Sequence, residues 1–184
     1  MAAEIYYPGC STVIPDPNCS DCPPTENGDV RAIFLVKNTF TFTDITDTAE
    51  WSAGILSKDI YVFPYTRGTI SIAENVVNGF GDQDEKLDSY TYTAAVEEPN
   101  YKANYGFWNA IKNARNYKFG YKTENYVHLS DVAAQFIPKQ EVKDGKKSQV
   151  NWMINAKFTQ DNLIEPFDAP TGVFDQCLEV VSMG

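Results

Sequence analysis

The chain has 184 residues, 43% hydrophobic and 14% aromatic, with a formal net charge of -10. That apolar content excludes general disorder, and the length allows one domain with an extended arm. The acidic balance excludes tight wrapping of DNA or RNA, whose phosphates need a basic surface, and no apolar run approaches the ~20 residues that span a bilayer.

Residues 1–29 read as an extended arm. The segment holds five of the ten Pro and three of the four Cys, and Pro removes backbone donors while Asn, Asp, Ser and Gly favour turns. Its start, MAAEIYYPGC, lacks a basic stretch followed by an apolar one, so no secretory signal is expected. Cys19 and Cys22 form a C-x2-C knuckle, a spacing that can aim two thiolates at one tetrahedral ion. A four-thiolate zinc site would also need Cys10 and Cys177 to converge on it. Free thiols and disulfides are the other two readings of the same four residues.

The globular part is expected over residues 30–160. RAIFLVKN reads as a strand buried on both faces, and Thr39–Thr43, TFTFT, as an alternating strand. Thr46 or Asp47 can cap a helix over 48–57, with Glu50 in its first turn and Trp51 and Ile55 on one side. Ile60–Tyr65 reads as a short strand and Thr69–Val77 as a longer one. The segment NGFGDQDEKLD reads as an acidic loop. Its Asp82, Asp84, Glu85 and Asp88 miss the EF-hand pattern, which needs an oxygen donor where Lys86 stands. Ser89–Val96 follows as a strand with Tyr90 and Tyr92 on one face.

The most aromatic stretch is Asn100–Leu129. Tyr101, Tyr105, Trp108 and Ile111 recur at helical spacing, which predicts a helix capped by Asn100 that covers one sheet face. Gly106 inside that helix costs ~1 kcal/mol relative to Ala and suggests close packing. After Asn116 the period becomes two, with Tyr117, Phe119 and Tyr121 opposite Lys118, Gly120 and Lys122. Tyr126–Leu129 continues or reverses this strand. Val132–Lys143 is a strand demoted by Pro138 to an edge or bulge. Asp144–Gly145, flanked by Lys143, Lys146 and Lys147, marks a hairpin turn. Gln149–Thr159 is the clearest strand, with Val150, Trp152, Ile154, Ala156 and Phe158 on its inward side. Residues 161–184 read as a C-terminal arm or a final strand.

About eight strands and two short helices in this order predict a mainly β (α+β) fold. It is an antiparallel β-sandwich or barrel with one flanking helix, a second short helix and extended terminal arms. The single His128 leaves little room for a Ser-His-Asp triad or a His-rich metal site and is expected on a sheet face. No G-x-S-x-G, Walker loop or G-x-G-x-x-G is present. Terminal arms and a Lys-tipped hairpin can each add area or strands to a neighbouring molecule.

The order of a short Trp helix, a Gly-rich acidic loop, YTYTAAVEEPN, FWNAIKN, YKFGYKT, a DG hairpin and VNWMINAKF resembles virion structural proteins of tailed bacteriophages. The likeness is to the tail-tube group and covers about Thr48 to Pro170. The Cys-bearing arm is not a feature of that group, which leaves head–tail connecting and capsid-associated proteins open. The resemblance implies a virion component assembled in the host cytoplasm, with no catalysis and no cofactor. Its partners would be copies of itself and other virion proteins, and DNA would pass an acidic surface without sticking. The alternative is a monomeric glycan- or ligand-binding β-sandwich module that uses exposed Trp or Tyr.

Overall fold

The apolar run AIFLVK forms strand β1 (Ala32–Lys37), whose first five residues are all buried. Such a strand needs apolar neighbours on both faces, and the whole fold follows from that need. A computed structural model describes residues 28–79, 81, 84–142 and 150–175. After β1 come α1 (Thr48–Leu56), β2 (Ile60–Phe63), β3 (Arg67–Val77), β4 (Lys86–Glu98) and α2 (Tyr105–Ile111). Then follow β5 (Tyr117–Lys122), β6 (Tyr126–Ala133), β7 (Gln135–Glu141), β8 (Asn151–Gln160) and β9 (Pro166–Asp168). The strands make two sheets, ordered β2-β1-β5-β6-β9 and β3-β4-β8-β7, and every neighbouring pair is antiparallel. The sheets pack as a sandwich.

The first core lies between the sheets. β1 contributes Ile33 and Leu35, β5 contributes Phe119, and the opposite sheet contributes Tyr92, Ala94, Val96, Phe136, Ile154, Ala156 and Phe158. Tyr92 and Phe158 stack at 4.9 Å across the β4–β8 pair. The second core lies on the outer face of the five-stranded sheet. There Ala32, Phe34 and Val36 meet Trp51, Ile60, Val127, Val173 and Phe174. β1 therefore divides its side chains between two cores, which explains its unbroken apolar sequence.

Helix α1 covers that outer face. Asp47 caps it, its carboxylate accepting from Ala49 N at 2.9 Å. Trp51 is fully buried, packs edge-on to Phe34 at 4.8 Å and donates Nε1–H to Ile45 O at 2.6 Å. The strand expected at Thr39–Thr43 does not form. The Glu50 carboxylate takes the N–H groups of Thr43 and Asp44 at 2.8 and 3.2 Å, and Phe42 turns onto Trp51 at 5.0 Å. Phe42 on Trp51, with Phe40 edge-on to Phe42 at 5.0 Å, outweighs the period-two pattern here.

Helix α2 is shorter than its spacing predicts and lies elsewhere. The Asn100 N–H donates to Glu98 Oε1 at 2.8 Å and the Tyr101 carbonyl accepts from Trp152 Nε1 at 2.9 Å, so the helix begins only at Tyr105. It does not lie over a sheet face. It bridges the two sheets at one side of the sandwich: Phe107 and Trp108 pack on Phe63 of β2, while Tyr101 and Tyr105 pack on Trp152 of β8. The face-covering helix is α1 instead. Gly106 has open space where its Cβ would be, contrary to the close packing inferred for it.

Pro138 sits in β7, an edge strand as expected. Val150, placed inward by alternation, precedes β8 and is 37% exposed. In the stretch after residue 160, β9 pairs with β6, and Val173 and Phe174 enter the second core. The strand count is nine among the described residues.

Candidate assembly surface

The four sheet edges differ in chemistry. β2 has four residues and packs beside α1; β9 has three and begins at Pro166. β7 carries Pro138, which has no N–H to donate, and α2 lies against it. β3 has eleven residues, no Pro and no neighbour on its far side among the described residues. An edge of that length presents a row of unpaired backbone groups, the template for strand addition.

Register fixes what β3 displays. It pairs with β4 from Arg67 opposite Glu97 to Val77 opposite Lys86, with a bulge at Asn75/Val76. Ile70 lies opposite Ala94 and Ile72 opposite Tyr92, so both Ile share the inward face of the sandwich. Ile70 packs on the first core, yet Ile72, two residues on, is 51% exposed. The apolar interior thus runs out to an open side along β3. β4 pairs with β8 only from Tyr90 onward, so the hairpin end of β3 and β4 projects past its neighbour. There Val76 and Leu87 face each other, 52% and 41% exposed.

The outward face of the same sheet is held by polar cross-strand pairs. Asn75 Nδ2 donates to Ser89 Oγ at 3.1 Å and Thr91 Oγ1 at 2.9 Å, and Thr91 and Thr159 share a hydrogen bond of 2.9 Å. Arg67 lies across it against Glu97, Nε to Oε2 at 2.7 Å. These cross-strand polar pairs hold the sheet without apolar cover, so this face can stand in water.

The residues singled out in the sequence fall as follows. Cys10, Cys19, Cys22 and Cys177 lie outside the described residues, as do Lys143, Asp144, Gly145, Lys146, Lys147 and Asp82. Asp84, Glu85 and Asp88 are exposed. Among the described residues no three His, Cys, Asp or Glu are grouped to hold a metal, and no helix is long and apolar enough to cross a membrane. His128 lies on β6, stacked on Tyr121 at 4.5 Å with ring planes 5° apart. Burial pushes the Tyr121 hydroxyl up to about 12, with Tyr92 nearby adding to the rise.

Two features were not found by sequence reasoning. Thr69–Val77 reads as a strand, but nothing in the period marks it as an edge. The signal is the size of its residues: from Thr69 to Asn75 one face carries Thr, Ser, Ala and Asn. The second is Glu98, 1% exposed, with Trp108 Nε1 donating to Oε2 at 3.1 Å. A buried carboxylate ending an exposed-looking EEP has no local sequence signature.

Comparison with protein-family models, with curated proteins and with solved structures finds no match to this chain.

Proposed function

We propose that this protein is a non-enzymatic structural subunit of a phage particle, self-assembling through its strand edges and loops, in the tail tube, the head–tail connection or in association with the capsid. The observation that carries the assembly part is the Pro-free eleven-residue edge β3, with an apolar face left open beside it. The phage part rests on the layout of the chain. The net charge of -10 suits a surface past which DNA moves without adhering.

The ligand-binding alternative needs an aromatic platform. Trp51 and Trp108 are fully buried and Trp152 is 5% exposed, so no Trp offers a ring face to a sugar, and this reading would rest on the exposed Tyr65 and Tyr105. The test is the mass of the full chain in solution over a range of concentration, followed by electron microscopy. Rings, tubes or defined oligomers are expected. A monomer at every concentration, with no particle-bound copies, overturns the assembly reading.

A further inference from the structure

Strand addition between two copies of one chain needs two usable edges. β2 and β9 are short, and β7 is interrupted by Pro138 and flanked by α2. Among the described residues only β3 is long and Pro-free. A contact built from one kind of edge is isologous, with β3 meeting β3 antiparallel about a two-fold axis normal to the sheet. That axis keeps inward faces on the same side, so even-numbered residues meet even-numbered residues.

The registers are then few, and the side chains separate them. A centre on Ile72 sets Ile70 against Glu74, and a centre on Ala73 sets Ile72 against Glu74. A centre on Ile70 sets Ile72 against Gly68, which has no side chain to pack. A centre on Ser71 sets Ile70 of each copy against Ile72 of the other, extending both apolar interiors into one. Thr69 then faces Ala73, Gly68 faces Glu74 and Arg67 faces Asn75 on each side. No like charges are opposed, and a chain of net charge -10 meets its copy along a strip bearing one Arg and one Glu.

Resting on the assembly reading above, we infer that a second copy of this chain adds to β3 through β3 itself, in the register centred on Ser71, joining two four-stranded sheets into one of eight. This makes the contact a closed two-fold pair. Any ring or filament must then grow from such pairs through other surfaces.

The test uses the full chain and four variants. Ile72→Lys changes a half-exposed residue, so folding, checked by circular dichroism, is retained. Wild type is expected to sediment as an even-numbered species. Ile72→Lys places a charge in the apolar strip twice per pair and weakens the pairing by about 100-fold or more. Ile70→Lys and Ile72→Glu each disrupt it, whereas the double variant I70K/I72E regains it, because this register puts each Lys opposite a Glu. An unchanged oligomer in Ile72→Lys overturns the β3 contact while self-assembly stands. Odd-numbered species carried through β3 overturn the two-fold, and a folded double variant as dissociated as the single ones overturns the register. A wild type monomeric at every concentration overturns both this contact and the assembly reading.

Discussion

Replacing Gly120 with Ala tests a crowded place in the second core. Gly120 lies on β5 directly opposite Phe34 of β1. Its missing side chain points at the second core, where an added Cβ would overlap the Phe34 ring. That ring is fully buried, held by Trp51 at 4.8 Å and Phe174 at 5.8 Å, so it cannot step aside without moving both. Overpacking of a tight core costs about 1–3 kcal/mol, and three linked rings place this site near the top of that range. Ala recovers roughly 0.5–1 kcal/mol because it loses less backbone freedom than Gly on folding. The net expectation is a loss of about 2 kcal/mol, and with roughly 2–4 °C per kcal/mol for a chain of this size, a Tm lower by about 4–8 °C. Urea and thermal melts followed by near-ultraviolet circular dichroism measure it. Phe34→Leu shortens the obstructing ring, so the Gly120→Ala cost should shrink by about 1 kcal/mol in that background, a coupling expected of residues in contact. A Gly120→Ala chain as stable as wild type would refute the β1–β5 register and the ring cluster built on it.

Gly106 offers the contrast: its Cβ position is open, so Gly106→Ala should stabilise by up to about 1 kcal/mol, read from the same melts. Glu98→Ala leaves the buried Trp108 N–H without an acceptor and removes the partner of the Asn100 N–H. A cost of about 2–4 kcal/mol is expected, with Glu98→Gln losing less than half of that; equal losses would argue against both donors being held. Asp47→Ala removes the α1 cap and should cost about 1 kcal/mol in denaturant titration. The Tyr121 pKa is raised in the folded state, so the unfolded chain loses this proton first as pH rises. The stability it contributes is whole below pH ~10 and is lost between ~10 and ~12, by no more than about 2 kcal/mol given its partial exposure. Tyr121→Phe should flatten that part of the pH–stability curve, and an unaltered curve would contradict the raised value.

Strands with a strong period were legible in the sequence. β5, β8 and β1 fall within a residue or two of their expected bounds, because Phe119, Ile154 and Leu35 are placed by alternation or by an unbroken apolar run. The α1 cap was legible because Asp47 acts within three residues of itself. The misses were tertiary. Phe40 and Phe42 alternate like a strand, but Phe42 packs on Trp51 and Phe40 on Phe42 instead of joining a sheet edge. Tyr101 has helical spacing with Trp108, but its carbonyl is taken by Trp152, fifty-one positions away. The assembly surface was half legible: the length and absence of Pro in β3 are in the sequence. Its position at the end of the sheet, and the failure of the opposite sheet to cover Ile72, depend on strand order.

The two-sided burial of β1 has a consequence for synthesis. Leu35 finds its β5 partner Phe119 only 84 positions later, and Val173 and Phe174 close the second core near the end of the described chain. At roughly 5–20 residues per second, the inner face of β1, Ile33 and Leu35, waits about 4–17 seconds for Phe119. α1 and β2 follow soon, Trp51 covering part of the outer face and β2 protecting one edge, but the inner face stays open. The β3–β4 hairpin, whose contacts are local, can form during that wait. A ribosome-bound chain halted before Tyr117 would therefore display a sticky β1 beside a finished hairpin, the state in which chaperones have most to offer this protein.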